Sequence, residues 1–389
     1  MNKTVLALAA FATVAGAAQA QSSVLIYGIV DTGVTYNSRI AIATPGVPGA
    51  GTSGSRVSLD SGNLQGSRLG FRGTEDLGGG LKANFQLESG INVDTGTFGQ
   101  GGLAFGRTAA VGLSGGFGSL SFGRQYDYPN DLITYTSNID IGNLAQNLHG
   151  GRDLDRSSIQ RVNNSIRYDT PKVGGLVGTF TYGLGEQAGD SSAGQSYSVA
   201  SNYTAGAFAM GLGYHQSRLG TTPSETNPGF AGAGRPGDTA LKTFLLGARY
   251  KFGAVNVFGS LSQVKQPLAV AGTIVPLATF LPTGNQFTLG GSNNHKSNMA
   301  DLGIGYQLNP ALKLTASAQH ARAKFVGGAK GSLTQLNLAA DYALSKRTDV
   351  FAIYANVRAS DMYNTGATAE LVGGDNTQNV VRFGVRHKF

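Results

Sequence analysis

Apolar and polar residues alternate one for one along most of this chain, and that period of two restricts the possible folds more than any motif does. Leu81, Ala83, Phe85 and Leu87 alternate with Lys82, Asn84, Gln86 and Glu88, so a strand there has one apolar and one polar face. The same phase separates Leu69 and Phe71 from Arg68 and Arg72, and Ile166 and Tyr168 from Arg161 and Arg167. It sets Phe244, Leu246, Ala248 and Tyr250 against Gly247, Arg249 and Lys251. At the end of the chain it sets Val381, Phe383, Val385 and Phe389 against Arg382, Gly384, Arg386 and Lys388. Beyond residue 20 no comparable run has a helical period, and none has the eighteen consecutive apolar residues of a spanning helix.

Connections alternate too. Tight Gly, Pro or Asn turns fall at 75–80, 115–118, 171–175, 253–254, 309–310 and 345–347. Longer Gly-, Ser-, Thr- and Asn-rich loops fall near 37–62, 90–104, 127–160, 185–195, 217–238, 266–297, 324–331 and 360–376. Eight long loops imply sixteen strands if the meander closes on itself. The expected class is therefore all-β, with no domain boundary after residue 20.

Period two does not by itself distinguish a soluble core from a lipid-facing wall, but the polar face does. Sixteen strands would enclose more space than these side chains can fill. In a membrane barrel the outside is apolar and the lumen takes Arg, Lys, Glu, Asn and water, and closure leaves no strand edge unpaired in lipid. Composition agrees. Glycine supplies 59 of 389 residues, and only 13% are charged. There is no cysteine, so thiolate metal sites, a catalytic Cys and disulfides are excluded. The formal charge is +8, but Lys and Arg are dispersed rather than clustered in an arm, so no nucleic-acid partner is expected. Residues 1–20 read as a secretory leader: Lys3, an apolar run from Val5 to Ala18, and an Ala18-Gln19-Ala20 cleavage pattern. Residues 21–389 are then one transmembrane β-barrel with short periplasmic turns and long extracellular loops, in the outer membrane of a Gram-negative cell.

Five dispersed segments complete the reading. They are Val24-Leu25-Ile26-Tyr27-Gly28-Ile29-Val30-Asp31, the run from Ser67 to Lys82, Asn163-Asn164-Ser165-Ile166-Arg167-Tyr168-Asp169-Thr170-Pro171, Leu344-Ser345-Lys346-Arg347-Thr348, and the terminal Phe383-Gly384-Val385-Arg386-His387-Lys388-Phe389. With these in this order, the chain resembles the general diffusion porins of beta-proteobacterial and neisserial outer membranes over essentially its whole length. The resemblance implies a sixteen-stranded antiparallel barrel forming a homotrimer, and a passive channel for small hydrophilic solutes. It implies a third long loop, 127–160, folded into the pore, and a terminal Phe389 read by the outer-membrane assembly machinery. The surroundings it implies are outer-membrane lipid and lipopolysaccharide.

The family's basic constriction wall maps onto Arg68, Arg107 and Arg161. Parity places Arg68 and Arg161 inward. Arg107 shares the phase of Ala109, Val111 and Leu113, so turning it inward requires a bulge or a position beyond the membrane band. Further lumen candidates are Arg72, Lys82, Arg124, Arg167 and Arg382, with Arg124 at odds with the phase of Leu120 and Phe122. Asp127, Asp131 and Asp140 are the acidic candidates of the inward loop. A basic wall opposed by an acidic loop would set a transverse field, and the surplus of lumenal Arg and Lys points to a modest preference for small anions.

Other motifs lead elsewhere. Gly112-Leu113-Ser114-Gly115-Gly116 matches the hydrolase elbow pattern but ends a strand at a tight turn rather than entering a helix. The five histidines, His149, His215, His295, His320 and His387, lack metal-ligand spacing. No cofactor or metal is expected, and no enzymatic activity. The alternative is an outer-membrane hydrolase or adhesin on a plugged barrel, with Ser114 as the residue to test.

Overall fold

The computed structural model describes residues 23–42, 52–128, 132–145, 161–192, 194–218, 240–265, 294–325, 330–362, 364, 366–368, 372 and 375–389. The leader segment, Asp131 and His149 lie outside these residues. The strands are β1 (Ser23–Ala41), β2 (Ser53–Ser61), β3 (Arg68–Gly78), β4 (Leu81–Asn92), β5 (Thr97–Phe98), β6 (Thr108–Gly115), β7 (Gly118–Tyr126), β8 (Arg161–Asp169) and β9 (Leu176–Gly183). They continue as β10 (Ser196–Ala205), β11 (Phe208–Arg218), β12 (Ala240–Phe252), β13 (Val255–Lys265), β14 (Asn294–Gln307), β15 (Leu312–Phe325), β16 (Lys330–Ala343), β17 (Thr348–Ser360) and β18 (Thr377–Lys388).

Apart from β2 with β3 and β5 with β6, strands adjacent in sequence pair antiparallel, β6 pairs with β4, and β1 pairs with β18, so the sheet closes. Sixteen staves result. The strands β2 and β3 are two halves of one stave, both laid against β1, and β5 is a two-residue pairing within the second long loop. Phe389 extends the closing seam: its backbone exchanges hydrogen bonds with Gly28 at 3.0 and 3.1 Å. The tight turns fall where the sequence placed them, with a seventh at Gly206-Ala207 between β10 and β11. Gly79 and Gly80 there show why glycine is used, since both have positive φ, 61° and 82°. The strands are longer than periodicity alone indicates: they take in 38–41 and 53–61 of the first long loop and 90–92 of the second. Among the described residues helix is confined to single turns, among them Asn138–Ile141.

Burial is inverted relative to a water-soluble protein. Val57, Leu302, Phe383 and Val111 are exposed at 68%, 64%, 61% and 59%, while Asp31, Thr35, Asn37 and Gln335 are fully buried. That pattern suits lipid outside and a polar lumen inside. Part of the inner wall departs from it. On β17 the inward residues are Phe351, Ile353, Ala355, Val357 and Ala359, and they form one apolar cluster with Leu64, Ile141, Leu144 and Ala145. The interior is thus polar along the passage and apolar where the inward loop docks.

One carboxylate shapes the β2–β3 stave. Ile29 of β1 pairs with Arg68, and Thr32 pairs with Ser61, so residues 62–67 leave the ladder together. Asp31, inward on β1, accepts the backbone N–H groups of Asn63, Leu64 and Gln65 at 2.9, 2.9 and 2.7 Å. Its own N–H bonds Ser67 Oγ at 3.0 Å, and Ser67 Oγ–H returns to Asp31 O at 2.9 Å. Charge-assisted bonds of this kind are roughly twice as strong as neutral ones. Asp31→Ala should therefore cost about 3 kcal/mol in urea unfolding of the lipid-reconstituted barrel, because three donors lose their acceptor. A loss under about 1 kcal/mol would show that water replaces the carboxylate.

Candidate functional site: a basic constriction

The excursion pinned by Asp31 ends where the basic wall begins. Arg68 opens β3, and its Nε–H donates to Gly66 O at 2.9 Å. Gly66 itself sits against Arg107, since a Cβ there would lie 3.0 Å from a guanidinium nitrogen. Arg107 precedes β6, whose pairing with β4 begins at Thr108 opposite Glu88. Being outside that register, Arg107 escapes the phase of Ala109. It is 8% exposed, and its Nε–H donates to Glu88 Oε1 at 2.6 Å. Glu88 is held on its other oxygen by Tyr27 O–H at 2.8 Å, and Gln86 Nε2–H donates to Tyr27 Oη at 2.6 Å. Arg161 opens β8. It donates to Arg107 O at 3.2 Å and to Tyr126 Oη at 2.8 Å. The guanidinium carbons of Arg161 and Arg107 lie 4.5 and 5.9 Å from the centre of the Tyr126 ring, cation–π geometry that keeps two like charges side by side.

These residues line a lumenal recess of ≈ 580 Å³. Among the described residues that line it, three guanidinium groups face one carboxylate, that of Glu88, and this lining is net positive. On the opposite side the recess is lined by Ile133, Asn138, Ile139 and Asn143 of the inward loop, so the described part of the loop shows the arginines amide and aliphatic groups. Its acids point elsewhere, which corrects the expectation of an acidic face. Asp140 bonds Lys313 Nζ and Thr315 Oγ1 on β15. Asp127 is 1% exposed, with Oδ2 3.7 Å from His215 Nδ1 on β11. Asp131 lies outside the described residues.

The loop is fastened across the barrel by contacts that sequence parity cannot disclose. Asp301, inward on β14, accepts Ser137 N–H at 2.7 Å and also the Ser137 hydroxyl. Gln319 and Gln335 donate to Ala145 O and Leu144 O at 3.2 and 2.9 Å. Arg249 reaches Thr134 Oγ1 at 2.7 Å, and Asn143 N–H bonds Asn63 O at 3.1 Å. Glycines on the wall make room for the loop's first turn. A Cβ at Gly213 would stand 2.1 Å from the Tyr128 ring, and one at Gly247 would stand 2.4 Å from Tyr135 Cβ. Burial pushes the Tyr135 phenol above its ordinary pKa, partly offset by Arg249. The alternation of inward Gly211, Gly213 and Gly247 with bulky outward residues was the one sequence signal for this seat.

The remaining candidates divide. Arg72 is inward, with its guanidinium 5.3 Å from the Tyr27 ring centre. Lys82 shares the inward phase, opposite Asp76 and Ser114. Arg167 pairs with Asp169 at 2.8 Å and donates to Tyr126 O at 3.3 Å. Arg382 also turns inward but is 4% exposed, bonded to Thr35 Oγ1 at 2.9 Å and 3.5 Å from Asp60. Arg124 does not line the lumen. The ladder pairs it with Ala109 on the outward face of Phe122 and Val111, and its guanidinium bonds Gly106 O and Asn163 Oδ1. Parity was the better guide there. Among the described residues no three His, Asp or Glu side chains converge as a metal site would require.

Comparison with known proteins agrees with this architecture. Residues 7–362 match the model of the Gram-negative porin family. An outer membrane porin of Bordetella pertussis is 32% identical over the full length of both chains, and outer membrane porin protein 32 of Delftia acidovorans is 33% identical over the same extent. Among solved structures, the anion-selective porin from Comamonas acidovorans superposes with a TM-score of 0.71 at 28% identity, over 95% of this chain and 100% of that one. A trimer form of OmpT from Vibrio cholerae shares the fold alone, with a TM-score of 0.64 at 17% identity over 95% of this chain and 99% of that one. A closed antiparallel barrel of sixteen staves, a loop folded into its lumen and full-length similarity to curated porins lead to one conclusion: the chain belongs to the Gram-negative porin family and is an outer-membrane porin.

Proposed function

We propose that this porin passes small hydrophilic solutes passively and prefers anions, with Arg68, Arg107 and Arg161 as the residues that set the preference. The observation carrying this reading is that the acids of the described loop are drawn away from the arginines, Asp140 to Lys313 and Asp127 to His215. Among the described residues the narrow section then has a positive wall facing a neutral one. Selectivity follows the charge nearest the permeating ion, and low-dielectric walls focus the field of a cluster like this. The likeness to the anion-selective Comamonas acidovorans porin supports the same sign.

The reading extends to the whole molecule. Residues 1–20 are removed as a leader, leaving 21–389 as one barrel that begins its first strand at Ser23. The assembly is a homotrimer in outer-membrane lipid, in keeping with the trimer form of the OmpT barrel. Phe389 is the signal read by the assembly machinery, its ring packed over Gly28 at the seam. The protein acts as a channel and catalyses nothing. Ser114, the residue a hydrolase would need, accepts a hydrogen bond from Asn84 Nδ2 at 2.8 Å beside the β6–β7 turn.

Two readouts test this reading, the zero-current potential and urea unfolding. Arg68→Gln with Arg161→Gln should lower chloride preference in zero-current potentials measured across a KCl gradient, and an unchanged potential would remove both residues from the selectivity argument. In the wild type the preference should shrink as salt rises from about 0.01 to 1 M, because the Debye length falls from about 30 to 3 Å. Glu88→Gln adds one net positive charge at the wall and should raise chloride preference. Arg107→Gln strands the Glu88 carboxylate and should destabilise the barrel by about 3 kcal/mol. The double variant should recover most of that loss, and additive effects in urea unfolding would show that the pair is uncoupled.

A further inference from the structure

Of the arginines on β3–β8, Arg68, Arg72, Arg161 and Arg167 line the lumenal recesses of this wall, and Arg124 lines neither. Its side chain instead reaches two acceptors at the loop end of the wall. Nε–H donates to Gly106 O at 2.8 Å, and an Nη1 N–H donates to Asn163 Oδ1. These acceptors stand one residue before Arg107 and two residues after Arg161, the two side chains that complete the basic wall.

Gly106 O and Arg107 N–H belong to one peptide unit, whose trans geometry points them in opposite directions. The N–H end bonds Glu88 O of β4 at 3.1 Å, so the unit is held from β4 on one side and from β7 on the other. In a regular ladder the second bond would come from the β7 backbone. Here β6 and β7 last pair at Ala109 and Arg124, and the pairing of β7 with β8 shifts register between Gly123 and Gln125. The Arg124 guanidinium takes the place that a ladder bond would hold. Glycine at 106 lets the second long loop close over this peptide, since a Cβ there would lie 2.6 Å from that of Gln100.

The direction of this peptide matters because the pleat alone would give Arg107 the outward phase of Ala109, on the same face as Arg124. Two guanidinium groups that close would repel. With the peptide fixed, Arg107 emerges on the lumenal side, where its Nε–H meets Glu88 Oε1. Asn163 lies in the other irregular stretch: Asn164 has a φ of 51°, and the pairing with β7 jumps from Val162 to Ser165. Arg161 precedes that jump and donates to Arg107 O. Arg124 therefore joins the two departures from regular sheet that carry inward arginines.

We propose that Arg124 is a positioning residue for the constriction, which clamps Arg107 and Arg161 toward the lumen through Gly106 O and Asn163 Oδ1 from the outer side of the wall. It touches no permeating ion. Its planar fork reaches two acceptors at once, a geometry that a lysine ammonium lacks. Loss of one charge-assisted bond is enough to shift a two-way placement about tenfold. The proposal rests on the reading that Arg107 and Arg161 set the anion preference, and its test separates the two.

Two measurements on the full-length folded barrel make that test. Zero-current potentials across a KCl gradient compare the wild type with R124Q, R124K, R107Q/R161Q and R107Q/R161Q/R124Q. R124Q should lower the chloride-to-potassium permeability ratio about twofold, R124K should fall between R124Q and the wild type, and R124Q should add nothing in the R107Q/R161Q background. Equal effects of R124Q in both backgrounds, or wild-type behaviour of R124K, would show that Arg124 acts by its charge alone and would overturn the proposal. The second measurement does not depend on selectivity. The chain has no cysteine, so E88Q/R107C carries a single thiol, whose modification by a membrane-impermeant methanethiosulfonate is read as loss of conductance. Adding R124Q should slow that modification about tenfold, and an unchanged rate would overturn the proposal. A wild-type potential in R107Q/R161Q together with the slowed thiol would remove those arginines from the selectivity argument and leave the clamp supported. If R124Q fails to fold, R124K gives the same comparisons at smaller amplitude.

Discussion

The Asp31 carboxylate, holding three backbone N–H groups of residues 63–65, is the contact on which the constriction depends. Six residues have to leave a continuous ladder without leaving polar backbone groups unpaired in the barrel wall, and Asp31 supplies the acceptors. The excursion it fixes does two things at once. Gly66 O holds the Arg68 side chain, and Asn63 O receives the inward loop through Asn143 N–H. Wall charge and loop are therefore positioned by one local structure.

The acids of the described part of the loop, Asp127 and Asp140, serve attachment rather than selectivity. Asp140 to Lys313 and Ser137 to Asp301 tie the loop to β14 and β15, and Leu144 and Ala145 bury themselves against the apolar inner face of β17. An acid spent on an anchor is neutralised at the far wall, which leaves the arginine side without an opposing charge from the described loop. The field across the passage then comes from one wall. Glu88 moderates it while keeping Arg107 in place, so one carboxylate both trims the charge and orders it.

Much of this was readable in the sequence, and the failures have physical causes. Period two gave the inward placement of Arg68, Arg72, Lys82, Arg167 and Arg382, because a pleated strand permits no other alternation; Arg161 is separated from the phase of Arg167 by the irregularity at Asn164, across which Gly123 and Gln125 of β7 face Ser165 and Val162. Period two also placed Arg124 outward, against its assignment to the lumen, and the ladder agrees with parity. Parity failed at Arg107, which lies before the first paired residue of β6, where the pleat no longer dictates direction. The apolar inner face of β17 was hidden because Phe351 and Ile353 read like lipid-facing residues when nothing in a linear sequence shows the loop that covers them. The direction of Asp127 and Asp140 was hidden for the same reason: their partners His215 and Lys313 are 88 and 173 residues away.

The claim that the narrow section is positive on one wall and neutral on the other is tested most directly by the zero-current potential of the wild-type protein across a KCl gradient in planar bilayers at low salt. The geometry predicts stable conducting steps and a potential favouring chloride. A potential favouring potassium would mean that acids of the inward loop face the passage after all, and would contradict the account.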